Sequence, residues 1–267
     1  MINKINNNNS SNNSSNNSSN NSKGLALITG SAKNIGSDIA YNLAKIGYDI
    51  IIHYNNSEVQ AKELIKKINK DFSVKTYSIK CDLNDKDQVK EMANYVANNH
   101  SNWNLLINNA SIFKKSNFTN STAIFYENFN IHFIAPLILS QEFYRVVKNK
   151  KNKNAQIINM LDKNLVRYET IHFYYLLTKK FLAEFTKMLS LETAPIVRVN
   201  GIAPGFLSHT NQEVFDIKKE VLIKKIPLKN VCKLEDIWQA VEFLVNNKFI
   251  TGQIISIDGG SSLNHAG

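Results

Sequence analysis

The run Tyr175-Leu176-Leu177-Thr178-Lys179 places a phenol and an ammonium four residues apart, a spacing that puts both on one face of a helix. A cation beside a phenol favours its ionised form, so Lys179 is expected to lower the Tyr175 pKa and make it a proton donor at neutral pH. Thirteen residues before Tyr175 stands Asp162. An ionised carboxylate has no proton to give and would repel the oxyanion that grows when a ketone is reduced. A C=N bond is different: its nitrogen turns basic as a hydride reaches the carbon and then needs a proton. Tyr175 could deliver that proton while Asp162 holds the phenol or a water in line. The same aspartate could instead cap the loop that follows its strand.

Hydride chemistry needs a dinucleotide, and a second group of residues fits one. Thr29-Gly30-Ser31-Ala32-Lys33-Asn34-Ile35-Gly36 follows an apolar strand pattern and opens onto a helix. Glycines there let the backbone approach a pyrophosphate, and a helix N-terminus offers free N–H groups. Gly30, Lys33, Asn34, Ile35 and Gly36 are therefore cofactor candidates, with Asn34 standing where the commonest fingerprint has its middle glycine. At the end of the next strand, His53-Tyr54-Asn55-Asn56-Ser57 holds no acid to bind a ribose 2′-hydroxyl and repel a phosphate, so NADP(H) is expected over NAD(H). Lys33 would add a cation, and Asn55, Asn56 and Ser57 would add donors, unless this is a polar turn without contacts. Asp82, followed by Leu83, could accept from an adenine amine or cap the next helix. Phe113 could wall a slot for a flat ring or belong to the core, and Ser111 could donate to substrate or cofactor phosphate.

These residues must be positioned by alternating strands and helices. Strand patterns cover Leu25–Thr29, Asp49–His53, Val74–Lys80, Leu105–Ile107, Gln156–Met160, Val197–Asn200 and Ile254–Ile257. Helical spacing covers Ser37–Ile46, Val59–Ile68, Asp85–Asn98, Ala123–Val147, Phe173–Leu191 and Leu234–Val245, and Phe206–Lys225 reads as a helical insert over the site. The alternation predicts an α/β fold: one Rossmann-type, doubly wound parallel sheet with helices on both faces and a ligand site at the carboxyl ends of its strands.

Composition narrows the remaining choices. Residues 1–22 are almost all Asn and Ser and are expected to form a disordered tail ahead of a domain spanning 23–267, with no secretory or mitochondrial pattern. The longest apolar run, Ile131–Leu139, is broken by His132 and Pro136, too short for a membrane span. The 2 cysteines are far apart and suggest neither a disulfide framework nor a zinc site, which fits a reducing cytoplasm. No metal is expected. The net charge of +10 is spread among asparagines rather than gathered, so no nucleic-acid partner is expected.

Together with Asn108-Asn109-Ala110 after the fourth strand and Pro204-Gly205 after the sixth, the glycine turn and the Tyr175/Lys179 pair resemble the short-chain dehydrogenase/reductase family over residues 24–267. Within it the chain is similar to the pteridine reductases and the related dihydromonapterin and dihydrofolate reductases. That similarity runs through Thr29–Lys33, His53-Tyr54, Asn109–Phe113, Ile157–Asp162 and Val199–Gly201. The resemblance implies that Asp162, Tyr175 and Lys179 are catalytic, where most of the superfamily has serine at the position of Asp162. It also implies that Asn109, Ala110, Ser111, Pro204 and Gly205 join the cofactor site with Tyr175 and Lys179, that Ser111, Phe113 and Tyr175 meet the substrate, and that the enzyme is a homo-oligomer, dimer or tetramer. The chain departs at Asn34, where pteridine reductases commonly have arginine. It departs again at His132, where an asparagine usually helps hold a water near the lysine, and at His172, where a tyrosine is expected. A carbonyl reductase of 3-oxoacyl or sugar type, or a non-catalytic NADP sensor, is the alternative, the latter disfavoured by an intact Tyr175/Lys179 pair.

Overall fold

The computed structural model describes residues 22–149, 154–207, 220–221 and 223–264. The Asn/Ser tail and most of the expected insert over 206–225 lie outside the described residues. Seven parallel strands form one sheet: β1 (Leu25–Ile28), β2 (Asp49–Tyr54), β3 (Thr76–Lys80), β4 (Trp103–Asn108), β5 (Ala155–Met160), β6 (Val197–Pro204) and β7 (Ile254–Ile257), in the order β3-β2-β1-β4-β5-β6-β7. The helices described along their whole length are α1 (Asn34–Lys45), α2 (Glu58–Asp71), α3 (Lys86–Asn99), α4 (Thr122–Phe129), α5 (Ala135–Val147), α6 (Phe173–Thr193) and α7 (Leu234–Asn246).

Side-chain alternation along the strands divides the core into two layers. Ala26, Ile28, Ile50 and Ile52 face one way and pack against Ile39 and Leu43 of α1, Ile68 of α2 and Val241 and Leu244 of α7. Leu25, Leu27 and Ile51 face the other way, against Val89 and Val96 of α3 and Leu139 and Phe143 of α5. Both faces of the central strands are thus covered, which is why these strands read as continuous apolar runs. Strand β1 pairs with β2 on one side and β4 on the other. The chain reverses its direction of winding there, and a crevice opens at the carboxyl ends.

The expected helix Ala123–Val147 is not continuous. Asn130–Ile134 forms a π-helical turn between α4 and α5, with Pro136 at the start of α5, where its missing N–H and fixed φ are tolerated. The wider turn brings His132 inward, and its ring is 1 % exposed. Among the described residues no helix is long and apolar enough to cross a membrane.

Candidate active site

A cleft of about 510 Å³ opens at the carboxyl ends of β1 to β4, and backbone requirements shape its floor. Gly30 has φ +64° and Asn34 φ +52°, the left-handed region where asparagine is the best substitute for glycine. Asn34 thus satisfies the backbone demand of the missing glycine. A Cβ on Gly36 would lie 2.5 Å from the Gly30 carbonyl oxygen, so only glycine lets α1 start this close to the turn. No side chain caps α1, which leaves its first N–H groups facing the cleft as an anion site.

Buried side chains lock the turn from behind. The Gly30 N–H donates to His53 Nδ1 at 2.8 Å, and His53 Nε2 lies 3.1 Å from the Cys81 carbonyl oxygen. His53 is therefore neutral with its proton on Nε2, and burial lowers its pKa to about 4. The Asn109 amide donates to the carbonyls of Thr29 and Gly30 at 2.8 and 3.2 Å. Asn109 lines the cleft, but its side chain is committed to holding the turn.

The other sequence-predicted cofactor residues gather in the same cleft: Lys33, Ile35, Asn55, Asn56, Ser57, Asp82, Leu83, Ala110 and Ser111 all line it. Asn55 and Asn56 are exposed, and Ser57 starts α2 without a capping hydrogen bond from its side chain. The first acid after β2, Glu58, pairs with Lys62 at 2.7 Å. Asp82 does not cap α3; its carboxylate accepts from the Asn84 N–H at 3.0 Å, and Asp85 is the cap. Pro204 and Gly205 end β6 outside the residues lining this cleft, where a Gly205 Cβ would lie 2.7 Å from the Asp258 Cα. Sequence reasoning missed Ile131, Leu207 and Leu234 as apolar lining. No motif marks such residues.

The chemistry-bearing end lies beyond Ser111. Tyr175 Oη donates to Asp162 Oδ2 at 2.8 Å, while Asp162 Oδ1 accepts from the Asn164 N–H at 2.7 Å. One carboxylate thus meets both expectations at once: it orients the phenol, and it caps the single 3₁₀ turn Lys163–Val166. Lys179 is 2 % exposed; its Nζ donates to the Met160 carbonyl at 2.7 Å and lies 5.9 Å from the centroid of the Tyr175 ring. Burial lowers the Lys179 pKa to about 8, with Asp162 opposing.

The expected fall in the Tyr175 pKa is overturned. Burial first, then the Asp162 carboxylate, push it well above the ordinary phenol value, so Tyr175 keeps its proton and hands it over only to a strong base. Phe113 is not a core residue: it is 64 % exposed, stacks on His172 at 4.1 Å and meets the Tyr175 ring edge-on at 4.8 Å. His172, in place of the expected tyrosine, also lies 3.1 Å from the Glu169 carboxylate. His132 lies 3.0 Å from Ser111 Oγ and 2.9 Å from Thr178 Oγ1.

A family model described as enoyl-(acyl carrier protein) reductase matches residues 30–262. The chain belongs to the short-chain dehydrogenase/reductase family. An uncharacterized oxidoreductase YmfI of Bacillus subtilis is 28 % identical over 251 residues, covering 88 % of this chain and 97 % of that one. The 3-oxoacyl-[acyl-carrier-protein] reductase FabG of Staphylococcus epidermidis is 29 % identical over 249 residues, with the same two coverages. Among solved structures, FolM alternative dihydrofolate reductase 1 of Brucella canis, complexed with NADP, superimposes with a TM-score of 0.81 at 28 % identity, covering 90 % of this chain and 95 % of that one. Its Brucella suis counterpart, also with NADP, gives 0.80 at 28 % identity. This short-chain reductase is accordingly an oxidoreductase. Its relatives' names divide between carbonyl and dihydrofolate chemistry. Among its described residues, no group of three or more His, Cys, Asp or Glu side chains is placed to hold a metal.

Proposed function

We propose that this reductase uses NADPH to reduce the C=N bond of a dihydropterin or dihydrofolate to the tetrahydro form. The observation that carries the reading is the 2.8 Å hydrogen bond from Tyr175 to Asp162. A serine in place of Asp162 would donate to a carbonyl oxygen; a carboxylate only accepts, and it repels an oxyanion. The likeness to two dihydrofolate reductases of this family supports the same reading, whereas the 3-oxoacyl reductases among the relatives favour a ketone, which Asp162 disfavours.

The cradle fits an NADP(H) dinucleotide. The turn from Gly30 to Gly36 and the uncapped start of α1 would hold the pyrophosphate, and Lys33 with Asn55, Asn56 and Ser57 would hold a 2′-phosphate, where no acid opposes it. When bound, NADPH supplies the hydride. Tyr175 gives its proton to the ring nitrogen as that nitrogen turns basic. Asp162 fixes the direction of the phenol, and Lys179 supplies a cation that offsets the phenolate left behind. Phe113 offers an exposed aromatic face to a flat ring, and Ser111 lies between the two ends of the site.

The test is a panel of NADPH-oxidation assays with dihydrobiopterin, dihydromonapterin, dihydrofolate and a 3-oxoacyl thioester. Turnover of at least one dihydropterin or of dihydrofolate, well above that of the thioester, is expected. Preference for the thioester overturns the reading.

A further inference from the structure

His132 sits on the π-helical turn, buried, with four groups around its ring. The Ile112 N–H donates to Nε2 at 3.2 Å. An amide can only donate, so Nε2 carries a lone pair and the ring proton is on Nδ1. Nδ1 then donates to Thr178 Oγ1 at 2.9 Å, and the Thr178 hydroxyl donates onward to the carbonyl of Tyr174 or Tyr175, at 3.0 and 2.9 Å. This chain ends on backbone inside α6 and carries no proton to solvent, so His132 is not a relay. The Ser111 oxygen lies 3.0 Å from the same Nε2. The Ser111 hydroxyl also bears on the Tyr175 phenol, but its 3.0 Å contact is with Nε2, where two facing lone pairs would repel, so its hydrogen turns toward the ring. The fourth group is the Tyr175 ring, edge-on at 5.4 Å.

We infer that His132 is a positioning residue that turns Ser111 into a hydrogen-bond acceptor toward the cleft, selecting substrates that present N–H donors beside the reducible bond. With its hydrogen held by Nε2, Ser111 faces the cleft with oxygen lone pairs. Asp162, on the far side of Tyr175, also only accepts. With both groups accepting, a flat heterocycle with ring N–H or amino groups complements the pattern at this end, whereas a simple ketone does not. The specificity half of this inference rests on the proposed pterin chemistry; the hydroxyl's orientation does not.

Two measurements keep those halves apart. In the full chain with ¹⁵N-labelled histidine, the His132 spectrum should show a bare, pyridine-type Nε2 and a protonated Nδ1 throughout the neutral range. A ring protonated on Nε2 overturns the inference whatever the substrate. In kinetics, His132→Gln can return an acceptor to the Nε2 position, and His132→Asn is too short to reach it. The Asn variant should raise KM for the dihydropterin about tenfold, the scale of one hydrogen bond lost at a buried partner, with kcat less affected. The Gln variant should stay within about threefold of the native KM. Equal KM values in both variants would mean that His132 only fills space. If the Asn variant does not fold, Ser111→Ala replaces it, with the same tenfold rise expected and an unchanged KM counting against the inference. Should neither a dihydropterin nor dihydrofolate be turned over, the pterin reading and the selection fail, and the ¹⁵N result alone decides whether Nε2 is free to take the Ser111 hydrogen.

Discussion

The two ends of the site are built differently. At the cofactor end the chain supplies backbone: positive φ at Gly30 and Asn34, a glycine that admits no Cβ at position 36, and bare N–H groups at the start of α1. The side chains nearest this backbone, His53 and Asn109, are committed to holding it. At the other end the side chains act: Tyr175 donates to Asp162, Lys179 is tied to the Met160 carbonyl, and Ser111 lies against His132 on the π-helical turn. A backbone cradle suits any dinucleotide and tolerates change around it, whereas a side chain aimed by a specific hydrogen bond loses its aim when its partner changes. Substitutions at Asp162 and Tyr175 should therefore cost turnover and spare cofactor affinity; substitutions at the cradle should do the reverse.

The largest effect should come from Tyr175→Phe, which removes the proton assigned to the substrate nitrogen. Turnover should fall roughly 10³-fold or more, with the NADPH dissociation constant, read from nucleotide fluorescence, nearly unchanged. Near-native activity would mean the proton comes from elsewhere, and the role assigned to Tyr175 would fail.

Asp162→Ser comes next. Losing the carboxylate that aligns the phenol should lower the dihydropterin rate by roughly 10²-fold, while any weak ketone activity holds or rises because the serine can donate to a carbonyl oxygen. A mutant with unaltered pterin turnover would end the case for C=N chemistry.

The cofactor end should show smaller, affinity-based effects. NADPH should bind at least about tenfold more tightly than NADH, the ~1.4 kcal/mol that one charge-assisted phosphate contact supplies, and Lys33→Ala should narrow that gap with little change in kcat. Equal dissociation constants for the two nucleotides in the native enzyme would refute the assignment of residues 53–57 to a 2′-phosphate.

The same contrast governs what could be read in advance. Strands β1, β2, β4, β5 and β6 were legible because strands buried on both faces are short apolar runs, while the edge strands β3 and β7 are only partly buried; β4 and β6 extend further than expected, to Trp103–Asn108 and Val197–Pro204, and β3 begins later, at Thr76. The cradle was legible because glycines and Asn34 mark backbone demands. Tyr175 and Lys179 were found by type and spacing and Asp162 through the family resemblance; the structure joins Tyr175 to Asp162 and sets Lys179 5.9 Å from the centre of the Tyr175 ring, but the direction of the Tyr175 pKa was not readable. It depends on burial and on which charge lies nearer the phenol, and a four-residue spacing reports neither. The π-helical turn escaped for a related reason: one extra residue in a turn leaves the apolar pattern of 123–147 nearly intact, so the inward placement of His132 has no signature in sequence.

The smallest effect concerns Lys179 and separates burial from catalysis. Its pKa falls from 10.5 to about 8 in the folded apo-protein, whereas the unfolded chain keeps the higher value. Below about pH 8 both states are charged, and the cost of burying the cation is fully present. Above it the native lysine loses its proton while the unfolded one keeps it, so the unfolded state binds more protons and stability rises with pH. The thiols oppose this as pH nears and passes 9: burial raises Cys81 from 9.0 to about 12 and Cys232 from 9.0 to about 11. The folded state then holds the extra protons, and stability falls. That leaves a window between about pH 8 and 9 in which one proton over one pH unit amounts to about 1 kcal/mol. Urea unfolding midpoints of Lys179→Met should fall across this window, where the thiols act alone, and those of the native chain should hold or rise slightly. Equal slopes in the two proteins would show that Lys179 does not lose its proton there and enters the reaction fully charged at every pH tested.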